Sequence, residues 1–361
     1  MLSHLQTYGH IYAFAGNHIQ GYPANNVIAT STMLNLPTGI AVDSVGNVYF
    51  ADSFSHSVLK VTTSTGIITR VAGTGKVGGG YSGDNGPATA ASLNDPWGIA
   101  VDRAGNIYIA DTENNVIRKV IKWNGIIVTV AGTIYNKVRV NGYFGDGGPA
   151  TSARLRAPKS IAFDSFGIMY ISDSGNNVIR KVGKDGIINT VAGCDLGLIY
   201  CGNAGTATAA RLNNPSGIAF DSLNNLYIAD AYNHVIRKVT RTTGMITTVA
   251  GTGVRGYTGN NVLATSALLA YPRGIALDSK NNLYIADSSN HYIRKVTADT
   301  GIITLVAGTG YSGYSGDDHP ASSARLNLPY GVAIDSSYST GNIYIADSRN
   351  YVVRMVTSAP P

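Results

Sequence analysis

Charge and cysteine are both scarce in this sequence, and it has no long apolar run. Only 13% of the 361 residues are charged, and the only cysteines are Cys194 and Cys201. Two cysteines cannot build a disulfide framework, so stability must come from an apolar core, although one local bridge between them stays open. No window reaches the roughly 18 apolar residues of a membrane span, which argues against membrane insertion by a helix. Met1 to His10 lacks the basic start and apolar stretch of a signal peptide, and no Asn-x-Ser/Thr sequon occurs, so a eukaryotic secretory route is disfavoured.

What the chain does have is glycine, 43 residues of it, and a 44% share of hydrophobic residues, a balance that suits short strands and tight turns. One phrase recurs six times: Pro-x-Gly-Ile-Ala-x-Asp, then Gly-Asn, an apolar residue, Tyr-Ile-Ala-Asp, and after a short loop Val-Ile-Arg-Lys-Val. It opens at Pro37, Pro96, Pro158, Pro215, Pro272 and Pro329, 57 to 62 residues apart, which suits a propeller blade with a long connecting loop. Each repeat reads as four apolar runs, strands a to d. The runs are nearly continuous rather than alternating, as expected when both faces of a sheet are covered by neighbouring blades.

The sixth repeat stops after strand c. Residues 9–16, Gly-His-Ile-Tyr-Ala-Phe-Ala-Gly, align with strand d of the first repeat, Gly66 to Gly73. The sequence therefore predicts an all-β, six-bladed propeller over residues 1–361. Each blade would have four antiparallel strands, the amino-terminal strand would complete the last blade, and the long inter-blade loops would carry short helical turns of one to two turns. Such a ring leaves no free gap between its first and last blades.

Phrases such as Ile109-Ala110-Asp111 and Asn233-His234-Val235-Ile236 resemble NHL repeats over nearly all of residues 9–357. The Ile-Arg-Lys-Val and Val-Ala-Gly-Thr-Gly phrases resemble bacterial and cell-surface NHL propellers in particular. The resemblance implies a protein-binding, RNA-binding or adhesion module, while a few related six-bladed propellers are enzymes. It favours an extracellular or cell-surface setting, with a cytoplasmic one as the alternative.

Six copies provide an internal comparison, because a residue demanded by the architecture recurs in every blade whereas a site breaks the symmetry. Asp43, Asp102, Asp164, Asp221, Asp278 and Asp335 recur after strand a, and Asp52, Asp111, Asp173, Asp230, Asp287 and Asp347 end strand b. Together with Arg118, Arg180, Arg237, Arg294 and Arg354 of strand c they read as pairing and turn-capping scaffold. The tyrosines of strand b read as packing units. Three Gly-x-Gly-x-x-Gly matches, such as Gly73 to Gly78, lack the βαβ context of a dinucleotide loop. His56, His234 and His291 share one loop position that Asn115, Asn177 and Tyr351 fill elsewhere, so loop hydrogen bonding accounts for them and no metal is assigned.

Two columns vary. The residue after the repeated proline is Thr38, Trp97, Lys159, Ser216, Arg273 or Tyr330, and the b–c loop carries Phe54, Glu113, Gly175, Tyr232, Ser289 or Arg349. Both should emerge on one face around the central channel, where aromatic and arginine anchors suit recognition. The expectation is a monomeric, non-catalytic scaffold that recognises a protein or glycan on that face, with no cofactor. RNA or another polyanion is an alternative partner, although the basic residues are scattered. A metal-dependent lactonase- or lyase-like enzyme at the channel is a further alternative, without visible paired carboxylates or nucleophile to support it.

Overall fold

In the second repeat, strands a to d are Pro96–Val101, Ile107–Asp111, Val116–Val120 and Ile126–Ala131. The a–b turn forms because Asp102 accepts the Asn106 amide on Oδ1 at 2.9 Å and the Asn106 side-chain amide on Oδ2 at 2.7 Å. Gly105 supplies the left-handed residue of that turn at φ +82°. The same antiparallel unit is built six times and closed into a ring in the computed structural model, which describes residues 9–75, 77–135, 138–139, 141–194, 205–335 and 341–357. The a strands face one another around a central channel.

Each blade is a five-stranded sheet where four strands were expected. The fifth is a two-residue outer edge: Gly86–Pro87 pairs with strand d through Ile127 and Ile126. A two-residue strand has no periodicity to read, and Pro87 suits an edge because it has no amide to donate. The helical phrase that follows is one 3-10 turn, Ala88–Ala90, which ends where Ala91 returns to extended backbone. In the last sheet the fourth strand is His10–Ala15, paired antiparallel with Val352–Val356, so the amino-terminal segment closes the ring.

The core lies between blades rather than within one. Tyr49, Ala51 and Val58 of the first blade pack on Ile99, Ile107 and Ile109 of the second, and five equivalent clusters complete the circle. This sandwiching explains the unbroken apolar runs. Each fully buried isoleucine, such as Ile109 or Ile127, contributes about 1.5–3 kcal/mol relative to an exposed one. The strand b tyrosines bridge blades: Tyr108 meets Phe163 edge-on at 4.8 Å, and Tyr170 meets Phe220 at 4.7 Å.

Candidate functional site

Pro96 stands opposite Asp111 in the sheet register, so the start of strand a and the end of strand b lie at the same end of each blade. The d–a and b–c loops therefore share one face. Asp111 is fully buried there and accepts the Asn94 amide at 2.7 Å, the Asn114 side chain at 2.8 Å and Arg118 at 3.4 Å. Burial holds its carboxyl up at about 6 despite these donors.

Arg118, equally buried, reaches Asp84 at 2.7 Å and lies 4.7 Å from the centre of the Tyr81 ring. Asp146 and Asp317 serve Arg180 and Arg354 in the same way, at 2.5 Å each. The sequence reading missed these ion pairs of Asp84, Asp146 and Asp317. Their recurrence in register with the strand c arginines was the available signal. In the fifth blade Asn260 replaces the aspartate, and Arg294 turns to the carbonyls of Leu268 and Thr258. In the first blade Leu59 replaces the arginine, and Asp52 is held by Ser55 at 2.5 Å and the Asn35 amide at 2.7 Å.

The histidines are structural. Each closes a 3-10 turn in the left-handed conformation, His56 at φ 50°, His234 at 57° and His291 at 59°. Each Nδ1 accepts an amide of the following blade, that of Asp95, Tyr271 or Leu328. Asn115 and Asn177 do the same through Oδ1. One geometry thus explains why His and Asn share this column.

The variable column after the proline converges on the channel. Trp97, Lys159, Ser216, Arg273 and Tyr330 line its cavity of about 350 Å³, and in the first blade Gly39 takes the place of Thr38. Thr38 and Ser216 are buried, and the Thr38 hydroxyl donates to the Trp97 carbonyl at 2.9 Å. Trp97 and Tyr330 stack with ring centres 5.3 Å apart although their blades are not adjacent. The Arg273 guanidinium lies 4.4 Å from the Tyr330 centroid and 5.5 Å from that of Trp97, and Lys159 Nζ lies 5.3 Å from the Trp97 centroid. Lys159 also donates to Asn214 Oδ1 at 2.7 Å. Burial, reinforced by the positive charge of Arg273, brings its pKa down to about 8.

The b–c residues Phe54, Glu113, Tyr232 and Arg349 are exposed on the rim of the same face. Tyr232 belongs to a cluster that sequence reasoning did not assemble: Tyr271 meets it edge-on at 5.3 Å, meets His234 at 4.6 Å, and has Arg255 5.1 Å from its ring centre. The opposite end of the channel opens into a bowl of about 720 Å³ lined by Asp102, Asp164, Asp221 and Asp278 with Phe163, Phe166 and Phe220. One end of the channel is thus cationic and aromatic, the other carboxylate-lined. Among the described residues no three His, Cys, Asp or Glu side chains converge as a metal site, and no helix is long and apolar enough to cross a membrane. Cys201 lies outside the described residues, and with it the bridge to Cys194.

Six five-stranded sheets closed by the amino-terminal strand define a six-bladed β-propeller. The family model of the Teneurin NHL domain matches residues 76–141, 140–199 and 196–258, and that of the NHL repeat matches 269–296. The chain belongs to the NHL-repeat family. It is 29% identical over 340 residues to Protein SUPPRESSOR OF QUENCHING 1, chloroplastic, of Arabidopsis thaliana, covering 91% of this chain and 31% of that protein. It is 28% identical to human NHL repeat-containing protein 2, covering 77% and 41%. The chain therefore spans less than half the length of either relative. Among solved structures, an auxiliary nutrient binding protein from Bacteroides thetaiotaomicron superposes with a TM-score of 0.67 at 17% identity, covering 96% of this chain and 75% of that one. Virginiamycin B lyase from Staphylococcus aureus gives 0.51 at 15%, covering 89% and 94%. At these identities the likeness is one of fold alone.

Proposed function

We propose that this propeller is a non-catalytic binding platform that recognises a protein or glycan on the face carrying the d–a and b–c loops. The observation that supports it best is where the sixfold symmetry breaks. Trp97, Tyr330, Arg273 and Lys159 differ from one another in a column otherwise set in a repeated frame, and they meet at the mouth of the channel. Phe54, Tyr232 and Arg349 surround them on the rim. Large amphipathic rings beside an arginine bind partners with little loss of side-chain freedom. The repeated carboxylates and arginines are engaged in turns and buried ion pairs instead.

The test combines a glycan array and a candidate-partner screen with salt-dependent heparin and RNA titrations, using Phe54→Ala, Tyr232→Ala and Trp97→Ala variants. Binding to a protein or glycan that falls at least about tenfold in these variants supports the platform, since each loses a hot-spot contact. Steep salt dependence with heparin or RNA, lost in Arg273→Ala and Lys159→Ala, would make the protein a polyanion reader and overturn the proposed partner class. Binding indifferent to all these residues would move recognition off this face.

A further inference from the structure

We propose that the channel mouth is a binding pocket for a single carboxylate, held by Arg273 and Lys159 against the Trp97–Tyr330 stack. The inference rests on the reading of this face as the recognition surface and specifies what enters its centre.

The two cations stand close enough for Arg273 to depress the protonation of Lys159, an arrangement that is electrostatically costly without an anion. Among the described residues neither takes part in a salt bridge within 4.0 Å. Arg273 lies over two aromatic rings, and among the described residues its guanidinium N–H donors have no protein acceptor. Lys159 gives one donor to Asn214 and keeps two.

Chemistry chooses the anion. A guanidinium edge matches the planar fork of a carboxylate, and an ammonium beside it can donate to the same oxygens. Glu113 is the carboxylate whose field favours the charged form of Lys159, so one acidic side chain partly offsets the two cations. That matches a monoanion better than a phosphate dianion. The aromatic walls and the 350 Å³ cavity suit a group of side-chain or single-sugar size. Two sources carry this chemistry, an acidic sugar and an acidic side chain of a protein.

The pocket can be tested without knowing the partner. In a Trp123→Phe background Trp97 is the only tryptophan, so its fluorescence reports on the mouth. At low salt the protein is titrated with D-glucuronate and with N-acetylglutamate α-amide, and in parallel with glucose, N-acetylglutamine amide and inorganic phosphate. A saturable response to at least one carboxylate is expected, at least about tenfold tighter than to its neutral counterpart and lost in Arg273→Gln, because a charge-assisted hydrogen bond is removed. Which carboxylate binds tighter distinguishes sugar from side chain. Affinity should also weaken between about pH 7 and pH 9 as Lys159 gives up its proton. Arg273→Lys, which keeps the charge, controls for folding, and both variants are checked by thermal melting.

Equal binding of neutral and charged probes, tighter binding of phosphate, retention in Arg273→Gln, or no saturable response would each overturn the carboxylate pocket. None of these touches the Phe54 and Tyr232 rim, so the pocket can fail while the binding face stands, and loss of rim recognition with an intact pocket would show the reverse.

Discussion

The Asp95 amide of the second blade donates to Nδ1 of His56 in the first at 3.1 Å, a hydrogen bond that requires the imidazole to be neutral at that nitrogen. His234 and His291 repeat it toward Tyr271 and Leu328. Burial is the largest cause of a lowered pKa at all three. The unfolded chain therefore takes up more protons than the folded one as pH falls below about 6.5, and this contribution to stability is present above that value and lost on acidification. Because Asn115 and Asn177 do the same job without titrating, a His56→Asn, His234→Asn, His291→Asn variant should lose less stability between about pH 7.5 and pH 5 than the parent, by about 1 kcal/mol per bond. Urea unfolding at both pH values measures the difference, and equal losses would refute it.

The first blade offers a second comparison of buried carboxylates. Asp52 has no arginine beside it, and burial pushes its carboxyl up to about 7. A carboxyl raised on folding stabilises below its unfolded value, near 4, and that stabilisation is lost as pH rises through about 7. Asp52→Asn keeps the Oδ1 that accepts the Asn35 amide, and should flatten this part of the pH dependence with little cost at neutral pH. Arg118→Ala should behave differently, because it strands Asp111 and Asp84. A loss of about 3–5 kcal/mol is expected from breaking a buried pair, read as a fall in the denaturation midpoint.

Ring closure depends on the amino-terminal strand. The Gly9 amide donates to the Thr357 carbonyl at 2.9 Å, and Ile11, fully buried, packs among Ile343, Ile345 and Val356. Deleting residues 1–16 should expose the edge of Val352–Val356 and remove the cooperative melt or cause aggregation. A milder variant, Ile11→Ala, should cost about 2–5 kcal/mol through its cavity while leaving the ring closed. A truncated chain that melts as the parent does would refute closure by this strand.

Blade number, closure and the shared loop face were all legible because each rests on a repeated phrase. Pro96 to Asp111 carries its own register, and residues 9–16 could be matched to Gly66 to Gly73 position by position. The fifth strand was not legible, since Gly86–Pro87, Val27–Ile28 and His319–Pro320 share a place in the sheet but no side-chain pattern. For the candidate site, the varying column named Trp97, Lys159, Arg273 and Tyr330 but could not show how they meet. Trp97 and Tyr330 lie in blades separated by the first, and only closure of the ring brings their rings into one stack. Tyr271 escaped notice because it precedes the proline, in a column where Leu36, Asp95, Ala157, Asn214 and Leu328 look unremarkable singly.

The glycine after the variable column controls how closely the blades approach at that mouth. A Cβ on Gly274 would lie 2.6 Å from the Tyr330 carbonyl oxygen, and one on Gly98 would lie 2.9 Å from the Cα of Ser160 while overlapping the Lys159 carbonyl. The third blade already carries a side chain here: the Ser160 hydroxyl accepts the Ile218 amide at 3.3 Å. Gly98→Ser should therefore cost about 1–3 kcal/mol by overpacking, whereas Ser160→Gly should cost about 1 kcal/mol or less by losing one hydrogen bond. Because the backbone that Gly98→Ser displaces carries Lys159, the same substitution should also change Trp97 fluorescence, which Ser160→Gly should leave nearly as it is. Thermal melts and emission spectra of the two variants decide the matter, and equal effects on both would mean that backbone approach does not set the geometry of the channel mouth.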